Sequence, residues 1–310
     1  MKRLIVLFLL IPLIVTSCEK RDEKVVDEKR LKVVTSLFPL KEFAQAVAGK
    51  RAEVDLLLPP GAEPHTWEPK PSDIVRLSKA DIFIYIGAGM EPWIHDILKG
   101  VNKPDLIVVE VSHSLTFIRS DANHRHEGEH IHAHEFDPHI WLDFEYAQRI
   151  VDKITEAFIK KDVEGINYYQ ENAEVYKDRL RDLDRKYREA LKECRHREII
   201  HGGHSAFAYL AKRYDLKQIP LYGISPDSEP TPKRLARITE LAKRHRIRAI
   251  YFEAFVSDKL ARAIARDVGA KTLILNPGAN LTREQLKSGV TFLSMMEKNI
   301  ENLRYGLECR

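Results

Sequence analysis

Apolar and polar positions follow two different periods along this chain. Short apolar runs at residues 31–38 (LKVVTSLF), 52–58 (AEVDLLL), 81–87 (DIFIYIG) and 105–111 (DLIVVEV) are separated by stretches of helical period. Near-continuous apolar runs of this length predict strands buried on both faces, as in a parallel sheet. The intervening PSDIVRLSKA begins with a proline and a serine in first-turn positions, which predicts a helix start. The pattern then repeats, with runs at 197–203 (REIIHGG), 217–223 (KQIPLYG), 248–254 (RAIYFEA) and 271–277 (KTLILNP). Helical patterns near 206–214, 232–245 and 258–268 lie between them. Such alternation, twice over, predicts an α/β fold of two lobes, each with a mostly parallel sheet.

The residues between the two series, DVEGINYYQENAEVYKDRLRDLDRKYREALK (162–192), contain no proline and one early glycine. They predict a single long linker helix of about 45 Å at 1.5 Å per residue. Its narrow apolar stripe is read as Tyr169, Val175, Leu180, Leu183, Tyr187 and Leu191. That stripe suits a strut lying along both lobes; it breaks heptad register and so argues against a coiled-coil partner. The domain plan is therefore an N-terminal lobe over 31–161, a linker over 162–193 and a C-terminal lobe over 194–310.

The first eighteen residues, MKRLIVLFLLIPLIVTSC, combine Lys2 and Arg3 with an apolar run too short to span a bilayer. Their ending resembles a bacterial lipoprotein signal, in which Cys18 would carry the lipid; the alternative is an ordinary secretory signal. The charged stretch EKRDEKVVDEKR (19–30) is too polar to fold alone and is expected to be a tether. Export admits a disulfide between Cys194 and Cys309, and two buried free thiols are the alternative.

Composition narrows the function classes. The 310 residues are 44% hydrophobic and 31% charged, as in a globular protein. With 50 basic and 46 acidic residues interleaved, the chain carries no nucleic-acid footprint. Histidine is the unusual feature: six of thirteen fall within HRHEGEHIHAHEFDPHIWLD, residues 124–143. His124, His126, His130, His132 and His134 sit among polar and small residues and predict a solvated His-rich loop over 123–135. That loop either gathers metal at the surface or is a solvated insertion. His139 opens a renewed apolar stretch, where an imidazole can be held in place.

Ligands of open α/β proteins collect beyond the carboxyl ends of their parallel strands. His65 follows the second strand in LLLPPGAEPHTWEPKPSD. His139 lies beyond the fourth, and His204 follows REIIHGG and opens the helix HSAFAYLAKRY. Two from one lobe and one from the other could meet in the cleft, although ligands so far apart have no diagnostic spacing.

Five stretches, PPGAEPHTWEPKPSD, DPHIWLD, HSAFAYLAKRYDL, ISPDSEPTPKRLARITELAKRHRIRAIYFE and SDKLARAIARDVGAKTLILNP, resemble the metal-binding solute-binding proteins of ABC transporters, zinc-uptake type. The resemblance covers nearly the whole chain after the tether. It implies a non-enzymatic, extracytoplasmic lipoprotein that takes Zn2+ as cargo on His65, His139 and His204. It would pass the ion to a membrane permease with its ATPase. The histidine at the third position favours zinc over manganese in this family. Many relatives have Leu-Asp-Pro where this chain has Leu275-Asn276-Pro277. The fourth coordination position is thus open to water, Asn276, Glu63 or Glu253. A zinc hydrolase with three histidines is a rival, opposed by the lack of an HExxH helix and of a paired general base. A surface adhesin of the same fold is a second rival.

Overall fold

The computed structural model describes residues 30–119, 136–224 and 230–310. The signal segment, Cys18, most of the tether and the His-rich loop lie outside these residues. The N-terminal lobe runs β1 (Leu31–Thr35), α1 (Phe38–Ala48), β2 (Ala52–Leu56), α2 (Pro71–Leu77), β3 (Ile82–Tyr85), α3 (Ile94–Gly100) and β4 (Ile107–Glu110). A 3-10 turn, Ile140–Leu142, then leads into α4 (Phe144–Lys161) and α5 (Ile166–Ala190). The C-terminal lobe continues with β5 (Glu198–His201), α6 (Ala208–Arg213), β6 (Lys217–Pro220) and α7 (Pro232–Arg244). It ends with β7 (Ala249–Phe252), α8 (Lys259–Val268), β8 (Lys271–Ile274), α9 (Arg283–Lys287) and α10 (Phe292–Gly306).

Both sheets are wholly parallel, in the orders β2-β1-β3-β4 and β6-β5-β7-β8. This is the same winding twice, and it places a crevice between the first and third strands of each sheet, where the strand order reverses. In the first lobe Glu91 fills that crevice. Its carboxylate accepts from Ser36 Oγ (2.6 Å), Ile86 N–H (2.9 Å) and Gly87 N–H (3.0 Å). Burial lifts its pKa to about 7 against the pull of those bonds.

Each sheet is covered on both faces, as its apolar runs require. Val34, Leu57, Leu77, Phe83 and Ile97 form a cluster beneath α2 and α3. Ile200, Ile238, Ile250 and Ile264 form the corresponding cluster beneath α7 and α8. The opposite faces share one core, which runs from Val33 and Ile84 through Trp141, Phe158 and Tyr187 to Phe207, Tyr251 and Phe292.

α5 lies along both lobes, packed on α1, α4 and α10. Its 25 residues extend about 37 Å. The buried stripe is Tyr169, Ala173, Tyr176, Leu180, Leu183 and Tyr187. Val175, expected in that stripe, is 55% exposed. The true spacing alternates four and three, so the stripe keeps heptad register after all, but its seam is filled from within the chain. A disulfide joins Cys194, where the second lobe begins, to Cys309 near the C-terminus.

The lobes are also stitched directly. Phe38 N–H donates to Ala279 O (3.2 Å) and Gly61 N–H to Leu281 O (2.8 Å). Asn280 Nδ2 donates to both Pro59 O (2.9 Å) and Ala62 O (2.8 Å). Trp141 Nε1 reaches Pro277 O at 2.7 Å. Among the described residues no helix is long and apolar enough to cross a membrane.

Candidate metal centre

Three imidazoles converge where these stitches meet. His65 stands in the Pro-rich loop after β2, His139 immediately before the 3-10 turn, and His204 three residues beyond β5. His65 Nε2 lies 3.2 Å from His139 Nε2, and His204 Nε2 lies 3.1 Å from the same atom. Among the described residues they form the one cluster of three or more metal-capable His, Cys, Asp or Glu side chains, with donor atoms within 4.8 Å of one another. His139 is 1% and His204 4% exposed, and His65 is half-buried.

Two carboxylates orient two of the rings by the same device. Asp137 Oδ1 accepts from His139 N–H (2.9 Å) and faces His139 Nδ1 at 2.8 Å. Glu253 Oε1, at the end of β7, accepts from His204 N–H and faces His204 Nδ1, both at 2.8 Å. An ionised carboxylate only accepts, so each Nδ1 carries the proton and each Nε2 presents a lone pair to the cluster. Gly203 makes this approach possible, because a Cβ there would collide with the Glu253 carboxylate. The β5–β7 crevice of the second lobe is therefore filled by Glu253, as Glu91 fills that of the first.

The charges are coupled. Burial alone would raise Glu253, but the His204 charge and hydrogen bonds hold its pKa at about 2. Burial alone would depress His204, yet Glu253's charge and hydrogen bond lift it above the ordinary 6.5. His201, fully buried at the end of β5, faces His204 O through Nδ1 at 3.1 Å, and burial lowers its pKa.

With Nδ1 protonated in both rings, the Nε2 lone pairs of His139 and His204 repel each other at 3.1 Å, so this pair calls for a cation between them. With Zn–N near 2.0–2.1 Å, tetrahedral ligand nitrogens sit about 3.3 Å apart, close to the two spacings from His139 Nε2.

The model of the family described as "Zinc-uptake complex component A periplasmic" matches residues 33–306. The chain belongs to this family. It is 37% identical over 302 residues to the high-affinity zinc uptake system protein ZnuA of Bacillus subtilis, covering 95% of this chain and 94% of that protein. It is 36% identical over 287 residues to the zinc-binding lipoprotein AdcA of Streptococcus pneumoniae, covering 91% of this chain but only 57% of that longer protein. The crystal structure of the Zn(II)-bound ZnuA-like domain of that AdcA superposes with a TM-score of 0.76 at 34% identity, covering 90% of this chain and 99% of the domain.

Strand-end position and the family resemblance both point to His65, His139 and His204, and the fold brings those three side chains together. His204 does not open a helix. Its N–H is tied to Glu253, Ser205 N–H to Gly223 O and Ala206 N–H to His204 O, so α6 starts only at Ala208. Glu253 orients His204 and does not join the cluster. Glu63 Oε2 accepts from Thr66 N–H at 2.9 Å within the His65 loop, and burial raises its pKa against the pull of His204. Asn276 Oδ1 accepts from Gly278 N–H at 2.8 Å, shaping the turn that reaches the first lobe. Neither periodicity nor spacing marks Asp137 as a partner of His139; its place two residues before that histidine is the one signal in the sequence.

Proposed function

We propose that this chain is an extracytoplasmic zinc-capture protein that holds Zn2+ on His65, His139 and His204 and hands it to an ABC-type permease. The observation that carries the reading is the convergence of three imidazoles, with His65 Nε2 3.2 Å and His204 Nε2 3.1 Å from His139 Nε2 and with His139 and His204 oriented by carboxylates. Neutral imidazole donors suit zinc, whereas manganese favours carboxylate and water oxygen. Water takes the fourth position in this reading, because Glu63, Asn276 and Glu253 each hold a side-chain oxygen in another hydrogen bond and none joins the cluster. Delivery to a permease and its ATPase, and a lipid on Cys18 that holds the protein at the membrane, are carried by the family relationship and the leader sequence.

Equilibrium calorimetry with zinc and manganese tests the assignment. One tight zinc site is expected, with much weaker manganese binding. His65→Ala, His139→Ala and His204→Ala should each weaken zinc by orders of magnitude, and removing residues 123–135 should leave the tight site nearly unchanged. Tight binding that survives loss of any one of the three histidines would overturn the ligand set.

A further inference from the structure

The short helix α6 grips the opposite lobe at two points. Tyr209 and Arg213 stand four residues apart and so fall on one helix face. Tyr209 is 2% exposed; its hydroxyl donates to Asp137 O at 3.0 Å and accepts from Ile118 N–H at 3.1 Å. Arg213 Nη1 donates to Asp143 Oδ1 at 2.8 Å, while Nε and Nη2 hold the two oxygens of Asp184 on α5, each at 2.7 Å. Asp137 lies two residues before His139 and Asp143 four residues after it. The helix that follows His204 therefore holds the segment carrying His139 from both ends.

We infer that Tyr209 and Arg213 are positioning residues that set His139 against His204 before metal arrives. The inference rests on the zinc-capture reading above. Neither residue belongs to the ligand cluster. Each instead fixes a neighbour of His139: Tyr209 holds the backbone of the aspartate that orients the ring, and Arg213 holds the side chain that caps α4. A three-nitrogen site tolerates little error in donor spacing, so a preset 3.1 Å separation spares the ion from drawing the lobes together. Without the two grips, the 137–143 segment would keep the Trp141–Pro277 bond and its apolar packing, but its register against α6 would loosen.

The test uses the full-length chain carrying Tyr209→Phe, Arg213→Lys or, as a control, Tyr187→Phe. Tyr187 is also a fully buried tyrosine whose hydroxyl bridges elements, donating to Met296 O at 2.7 Å; its ring packs on Phe144 and Tyr214, but the hydroxyl that the substitution removes makes no bond to the 137–143 segment. Three quantities are read: the melting temperature without metal, the zinc dissociation rate into a chelator, and the visible absorption of Co2+, which reports ligand geometry. Tyr209→Phe and Arg213→Lys should speed zinc release about tenfold, the lower end of the effect of groups that orient metal ligands, and alter the cobalt bands. Tyr187→Phe should lower the melting temperature and leave release rate and bands unchanged. Wild-type rates and bands in both Tyr209→Phe and Arg213→Lys would overturn the inference. If Tyr209→Phe fails to fold, Arg213→Lys decides by the same two readouts. A wild-type chain that takes up neither zinc nor cobalt would instead overturn the zinc-capture reading itself.

Discussion

A histidine ring serves as a metal ligand only when one nitrogen is held as a lone pair and aimed. Asp137 and Glu253 do this by taking the proton side of His139 and His204. Asp137→Asn and Glu253→Gln should therefore weaken zinc by about 10–100-fold while the fold persists, as titration calorimetry at pH 8 would show. The charge of Glu253 has a second consequence. Because it raises the His204 pKa above 6.5, a proton competes for Nε2 at higher pH than it would in water. Zinc affinity should be full above that raised pKa and fall about tenfold per pH unit below it, for each proton displaced. In Glu253→Gln the lifting charge is gone, so the fall should begin at lower pH even though affinity at pH 8 is weaker. A pH titration of the dissociation constant in both proteins checks this. A curve that shifts upward in the variant would show that Glu253 does not govern His204.

At the scale of elements, the central strands β3, β5 and β7 could be read from the sequence because a parallel strand buried on both faces must be apolar throughout, whereas the edge strands β2, β4, β6 and β8 are only partly buried. All eight expected runs contain a strand, but several overshoot its end. Leu57, Leu58, Ile86 and Val111 lie beyond the strand ends and are still buried, and Leu57, Ile86 and Val111 still bond the neighbouring chain segment, so apolarity alone cannot mark where a strand ends. α5 was legible as one long helix, whereas its buried stripe was misjudged at Val175 because Ala173 and Tyr176 fill the seam. The Cys194–Cys309 pairing was open in the sequence, since nothing there brings together residues 115 positions apart. Its loop is long, so closing it limits the unfolded chain strongly. Cys194→Ala with Cys309→Ala should destabilise by about 2–4 kcal/mol in denaturant unfolding of the metal-free protein. Zinc affinity should be unchanged, because the bridge lies at the root of the second lobe and touches none of the three histidines. Equal stability with and without the bridge would mean that α5 and α10 already hold that end of the lobe in place.

At the scale of the whole molecule, two lobes with a ligand between them suggest a wide hinge, and the contacts argue otherwise. One apolar core passes from β1 through α4 and α5 to β7 and α10 without interruption. The 276–281 turn of the second lobe is threaded onto the first by bonds from Phe38, Gly61, Asn280 and Trp141. α5 offers no proline or glycine in its interior at which to bend. Those inter-lobe bonds could not be foreseen in the sequence, because Asn280 and Pro59 are 221 residues apart. A swing that opened the cleft widely would expose that core and break every stitch at once. Zinc binding should instead shift the lobes by about 1 Å, the scale seen at preorganised sites, and leave the radius of gyration nearly unchanged in solution scattering. The melting temperature should nonetheless rise, because zinc binds only the folded cleft; at a hundred times the dissociation constant the gain is about 2.7 kcal/mol. A marked contraction on adding zinc would show that the shared core parts in the metal-free protein, and the rigid two-lobed frame would have to be replaced by a closing one.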